Sequence, residues 1–298
     1  KDTNQANYGY ARSTPTYADG KLYTLSRLGL LHCLDAESGQ MLWMRDLVNE
    51  LGGQRPKWDY AASPLVDGKA VVVCPGGKSA VAALDRSSGA LLWAGGPGGP
   101  PGYATPVIAT LGGRRQYVIF AAAGLCGVSS EGGAALWQLP WKTEYDVNAA
   151  TPIPIENFVF ATSGYGVGCA IAKISGSSAQ ITWKSPEIQA HFNTPVYVGG
   201  LLYGIGDPGN LVCLNPQDGK AVWKKDGFEK GGVACVDGVI LAVDGKGGDV
   251  VMVAASPNAY QELGRINPLG GQSWTAPVVA DGKLLVRNTK ALAAVDLM

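Results

Sequence analysis

A short marker recurs along this chain: a small or hydroxyl residue, then proline, then an apolar run. It stands at Thr14-Pro15, Ser63-Pro64, Thr105-Pro106, Thr151-Pro152, Thr194-Pro195 and Ala276-Pro277. The spacing is roughly 40–45 residues, a period that belongs to stacked or radial repeats. The last gap is double, and inside it Val233-Ala-Cys-Val-Asp-Gly matches Pro277-Val-Val-Ala-Asp-Gly, with Val233 in place of proline. The chain therefore holds seven units.

A second marker lies later in each unit. Leu34-Asp35 leads to Gly39 and Trp43, and the pattern returns at Leu84-Asp85, Gly89 and Trp93 and at Leu214-Asn215, Gly219 and Trp223. Val128-Ser129, Gly133 and Trp137 form a weaker copy, while Ile174-Ser175 to Trp183 lacks the glycine. Asp, Asn or Ser caps a turn through its side chain, Gly supplies a positive φ, and Trp restarts a strand with a large apolar face. Each unit then offers four strands: after proline, after Asp-Gly, before the capped turn, and at Trp. No stretch carries helix-length amphipathic periodicity.

The expected fold is all-β, a β-propeller of about seven four-stranded blades. It forms a single domain over 1–298, with blades near 13–47, 62–96, 104–140, 150–185, 193–226, 231–267 and 275–297. Trp43, Trp93, Trp137, Trp183 and Trp223 should be equivalent in the outer strands and buried between neighbouring blades. The seventh unit stops at Leu292-Ala-Ala-Val-Asp-Leu-Met298, before its Trp strand. Either residues 6–12 supply a closing strand, or an N-terminal piece is missing and the blades number eight.

Lys plus Arg and Asp plus Glu are both 24, with no basic stripe, which argues against a nucleic-acid partner. No apolar run reaches the ~18 residues of a transmembrane segment. Lys1-Asp-Thr-Asn-Gln is polar and no secretory signal follows, so the chain reads as mature or trimmed. Cys33, Cys74, Cys126, Cys169, Cys213 and Cys235 include no CxxC pair and no zinc-ligand spacing, and are expected to be buried free thiols.

The Asp-x-x-x-Gly-x-x-x-Trp element, joined to the proline-initiated strand, resembles the pyrroloquinoline-quinone-type propeller repeat over residues 13–297. That resemblance implies two possible roles. The catalytic quinoproteins are longer chains that sandwich the quinone between a Trp and an adjacent-cysteine disulfide and hold Ca²⁺ near a catalytic Asp. This chain has no Cys-Cys dipeptide and no dense acid cluster. No catalytic residue, no metal site and no cofactor is expected, pyrroloquinoline quinone with Ca²⁺ included. The other branch resembles outer-membrane assembly lipoproteins. It implies a non-catalytic scaffold for protein or polymer partners, periplasmic or otherwise exported to the bacterial cell envelope. The alternative is a quinoprotein-like oxidoreductase, or a ligand-binding relative, with a funnel at the channel mouth.

The segments leading into the proline-initiated strands are rich in aromatic and polar groups. They contribute Trp58, Asp59 and Tyr60; Tyr103; Tyr145, Asp146 and Asn148; His191 and Asn193; and Trp274. In a propeller such loops share one face beside the channel. Two readings stay open: blade-to-blade packing, or a polar-aromatic funnel that docks a protein or a small polar ligand. His32 reads as a strand residue. Gly164-Tyr-Gly-Val-Gly168 is glycine-rich but has Cys169 where a dinucleotide fingerprint needs its third glycine.

Overall fold

The computed structural model describes residues 12–297, which form strands, turns and loops. In the first repeat, β1 (Thr16–Ala18), β2 (Lys21–Leu25), β3 (Leu30–Asp35) and β4 (Met41–Asp46) pair antiparallel in chain order. Five more four-stranded sheets follow the same order, within residues 65–95, 107–140, 153–185, 196–226 and 233–266. A three-stranded sheet lies within 278–296. Successive meanders of this kind are propeller blades, and the fold is an all-β, seven-bladed β-propeller. The closing strand considered at residues 6–12 lies, Arg12 apart, outside the described residues. The chain forms two compact units: residues 1–159 with 173–180, and residues 160–172 with 181–298. Among the described residues no helix is long and apolar enough to cross a membrane.

Local chemistry sets the meander. Asp19 and Gly20 take φ of 47° and 72°, the paired positive values of a two-residue type I′ hairpin. At the next turn but one, Asp35 Oδ1 accepts the Ser38 N–H at 2.8 Å. Asp85 Oδ1 likewise accepts from Ser87 at 3.0 Å and Ser88 at 2.9 Å, and Asn215 Oδ1 from Gln217 at 3.0 Å.

Across the first sheet Tyr23, Cys33 and Trp43 face one another, and Tyr203, Cys213 and Trp223 repeat the row in the fifth. Just past each Trp row the ladder slips by one residue, at Cys33/Leu34, Ala83/Leu84, Gly127/Val128 and Cys213/Leu214. A bulge re-aims the neighbouring side chain, here the indole.

The repeat glycine has a second task beyond its positive φ. A Cβ on Gly89 would lie 2.7 Å from Trp43, one on Gly133 2.6 Å from Trp93, and one on Gly219 2.5 Å from Trp183. The indole of one sheet therefore rests on the glycine turn of the next. Its N–H donates to that neighbour as well: Trp43 to Arg86 O at 3.1 Å, Trp183 to Pro216 O at 2.9 Å, and Trp223 to Ser256 O at 2.9 Å.

Two details depart from the expectation for the tryptophans. Trp43 and Trp137 are buried, but Trp93, Trp183 and Trp223 are only half-buried, although all five lie on the last strand of their sheets. Trp137 also turns inward: its N–H donates to Gln116 Oε1 of its own sheet at 2.6 Å. Gly127 makes room, since a Cβ there would meet the indole nitrogen at 2.2 Å. The fourth sheet offers no capped glycine loop at the matching point, because residues 176–177 alone join its last two strands.

All six cysteines are free, five of them buried and Cys235 half-buried. Burial pushes the Cys126 and Cys169 thiols up to about 12 and raises Cys33 and Cys213 as well. Native protein should react slowly with alkylating reagents, because the thiolate is the nucleophile. Denatured without reductant, it should gain six alkyl groups by mass spectrometry, and four would mean a disulfide that this arrangement does not contain.

Depressed carboxyl pKa values give an acid-sensitive edge. Ser87 and Ser88 hold Asp85 near about 2, Arg265 and Tyr260 hold Glu262 near about 2, and Arg115 lowers Asp67. Below about pH 4 the unfolded chain binds protons that the folded chain refuses, so stability is full above that pH and falls as pH drops toward 2. The urea midpoint should therefore decline from pH 4.5 to 2.5. A flat midpoint across that range contradicts the assignment.

Candidate functional site

Three loops of the first unit, 47–64, 96–106 and 141–152, carry seven of the candidate residues into the proline-initiated strands. Two of the seven are struts. Tyr60 is fully buried, its hydroxyl donating to Pro75 O at 2.7 Å. Asn148 is also fully buried, its amide donating to Ala121 O at 2.9 Å, while its own carbonyl accepts the Tyr103 N–H at 2.9 Å. Asp59 adopts φ 64° and sets its carboxylate 3.5 Å from both Arg27 and Arg55. These groups fix the loops, and their burial keeps Tyr60 and Asn148 beneath the surface.

The remainder lies outward. Trp58 is 47% exposed and Tyr145 43% exposed. The Trp58 N–H donates to the Tyr103 hydroxyl at 3.2 Å, tying the first loop to the second. Burial raises the pKa of that hydroxyl, and the Trp58 bond opposes the rise. Asp146, with φ 56°, is exposed beside Glu144. Tyr145, Asp146 and Glu144, together with Pro56, Lys57, Pro100, Pro101 and Tyr103, line a cleft of about 200 Å³. Lys57 Nζ sits 5.3 Å from the Trp58 ring centroid and 5.4 Å from that of Tyr145.

The second unit holds the other candidates in an aromatic chain. His191 meets Tyr165 edge-on with centroids 4.5 Å apart and lies 5.2 Å from Phe192, which in turn is 5.6 Å from Trp274. Lys230 Nζ is 5.6 Å from the Trp274 centroid, and Asn193 Nδ2 donates to Lys230 O at 2.9 Å. Asp207 Oδ2 is 3.9 Å from His191 Nδ1. Burial first, then Lys230, lowers the His191 pKa, and Asp207 opposes them, so the imidazole is neutral at pH 7. His32 pairs in β3 between Thr24 and Met44.

Tyr165, Asp207 and Lys230 were not among the sequence candidates, whereas Lys57 and Phe192 belong to the candidate segments Lys57-Trp58-Asp59-Tyr60 and His191-Phe192-Asn193. Lys230 had a signal: it precedes Val233 of the sixth unit, the same position that supplied the other loops. Tyr165 sits on the 164–168 hairpin, which serves the aromatic chain: the Gly166 N–H donates to Gln189 Oε1 at 3.1 Å. Among the described residues no group of three or more His, Cys, Asp or Glu is placed to hold a metal ion.

The family described as outer membrane protein assembly factor BamB matches residues 5–225. BamB of Moranella endobia is 26% identical over 259 residues, 79% of this chain, and the chain spans 62% of that relative's length. The crystal structure of BamB from Moraxella catarrhalis superposes with a TM-score of 0.69 at 20% identity, covering 96% of this chain and 81% of its own. A quinohemoprotein alcohol dehydrogenase from Pseudomonas putida shares the fold at a TM-score of 0.60 and 14% identity, over 91% of this chain and 61% of its own. With its repeat matched over residues 5–225, the chain belongs to the outer membrane protein assembly factor BamB family.

Proposed function

We propose that this chain is a non-catalytic, protein-binding scaffold in outer-membrane protein assembly, exported to the periplasmic side of the bacterial cell envelope. On this reading residues 1–298 act as one propeller domain and dock partners through the loops that lead into its blades. The observation that carries it is the family match over residues 5–225. The quinone-enzyme alternative has weaker support: the dehydrogenase likeness is one of fold at 14% identity, and the sequence lacks the adjacent cysteines of that chemistry.

The two lead-in clusters have the composition of a docking surface. Aromatic side chains give large contact areas at low entropic cost, and charged groups at their margins orient a partner. Trp58 and Tyr145 expose nearly half their surface while their loops are pinned from below, so a partner would meet a preorganised face.

Deletion in the source organism should lower the level of folded β-barrel proteins in its outer membrane, and the wild-type chain should restore it. A Trp58→Ala, Tyr145→Ala double variant, expressed and folded equally well, should fail to restore it. Full rescue by that variant removes the docking role from these loops, and unchanged barrel levels on deletion remove the assembly role.

A further inference from the structure

We propose that His191 is an acid-release latch: with its imidazole neutral, residues 186–195 pack down between two neighbouring turns, and protonation lifts that loop. The inference concerns the second-unit cluster and does not depend on the docking reading above.

The loop is fastened on both sides of the histidine. The Thr162 hydroxyl donates to Ile188 O at 2.8 Å and accepts the Ala190 N–H at 3.0 Å. Gln189 O accepts the Asp207 N–H at 3.1 Å, and Gln189 Oε1 accepts the Gly166 N–H at 3.1 Å. Past His191, Asn193 Nδ2 donates to Lys230 O at 2.9 Å. These bonds seat His191 against the 164–167 turn, where a Cβ on Gly164 would lie 3.2 Å from His191 Cα and 3.4 Å from Asp207 Oδ2. The imidazole is left 17% exposed, and among the described residues its buried Nδ1 has no hydrogen-bond partner.

A neutral ring tolerates that seat better than a charged one. Neutral imidazole carries one N–H, whereas imidazolium donates from both nitrogens. The facing carboxylate oxygen, Asp207 Oδ2, stands 3.9 Å from Nδ1, beyond hydrogen-bond reach, and the Gly164 backbone lies against it. The other charge acting on the ring is Lys230, which repels a second cation. Tyr165 and Phe192 flank the imidazole without a compensating charge, and Glu187 on the same loop is paired with Lys224.

Burial together with Lys230 outweighs Asp207, and holds the His191 pKa below its ordinary value. An opened loop binds the proton near the ordinary histidine pKa of about 6.5, and the closed loop resists it. Closure is therefore fully stable above that pH and weakens as pH falls below it. Histidine is the side chain that gives such a change in this range.

Hydrogen exchange of the whole purified chain at pH 7.5 and 5.0, corrected for the intrinsic pH dependence of exchange, tests the latch. Peptides covering 186–195 and 206–210 should exchange about five-fold or more faster at pH 5.0, the effect of one buried donor left unsatisfied. The sheet within 233–266 should keep its protection. His191→Gln, uncharged at both pH values, should remove the difference, and His32→Gln, at the chain's other histidine, should keep it. Asp207→Asn should enlarge the difference and Lys230→Ala should shrink it, and this pair carries the test if His191→Gln does not fold. Exchange in the loop that ignores pH, slows on acidification or keeps its response in His191→Gln overturns the proposal. So does a reversed order of the Asp207 and Lys230 variants, or a response that vanishes with His32→Gln.

Discussion

Trp43→Ala should lower the free energy of unfolding by about 3–5 kcal/mol, the range for removing a large buried aromatic. The indole is 8% exposed, packs against Gly89 of the following sheet, and donates its N–H to Arg86 O there. Its loss opens a cavity and removes one donor to the Arg86 carbonyl, which keeps the Tyr23 hydroxyl at 3.1 Å. The glycine side of the contact can be measured separately. Gly89→Ala places a methyl 2.7 Å from the indole at φ +70°, whereas Gly39→Ala has φ +71° and, among the described residues, nothing within 4 Å. The second substitution costs only left-handed backbone strain, about 1–2 kcal/mol. The first adds overpacking of about 1–3 kcal/mol more. Urea titrations of the three variants should rank Trp43→Ala and Gly89→Ala well below Gly39→Ala. Equal losses at the two glycines would mean that the repeat needs glycine for backbone conformation alone.

The second large effect separates struts from surface in the first-unit loops. Tyr60→Ala should cost about 3–5 kcal/mol, because the ring is fully buried and its hydroxyl satisfies Pro75 O. Asn148→Ala should cost about 1–3 kcal/mol by leaving the Ala121 carbonyl without its donor. Trp58→Ala and Tyr145→Ala, at exposed rings, should stay within about 1 kcal/mol of wild type and yet abolish rescue of barrel assembly. Thermal melts beside the rescue assay decide the matter. If Trp58→Ala melts as low as Tyr60→Ala, the exposed rings are packing and the docking reading fails.

Much of this fold could be read from residues. Asp-Gly pairs, capping Asp and Asn, and the Trp four residues after a glycine each prescribe a local geometry, and their repetition yields the blade. The glycine's role as a seat for the previous blade's indole was hidden, because it joins residues some 46 positions apart, Trp43 and Gly89. The inward turn of Trp137 was hidden too, since it depends on Gln116 and Gly127 filling one volume. Among the candidate site residues, position in the repeat found the loops but not which side chains face out. Tyr60 and Trp58 are two residues apart in one segment; one is sealed beneath Gly29 and Pro75 and the other is open. Only tertiary contact distinguishes them. The aromatic chain through Tyr165 escaped notice because its hairpin belongs to another part of the repeat.

On the function proposed above, partners dock on the loops leading into the blades. Site-specific photo-crosslinking in living cells tests it most directly, with a photoreactive phenylalanine at Trp58 or Tyr145 in one set and at Leu91 or Met44 in the other. Leu91 and Met44 are 50% and 39% exposed on outer strands, so both sets present accessible apolar positions. Adducts to outer-membrane assembly proteins from the Trp58 and Tyr145 positions, and none from Leu91 or Met44, are the expected result. Adducts from the outer strands alone would move the docking surface to the blade edges and contradict the account.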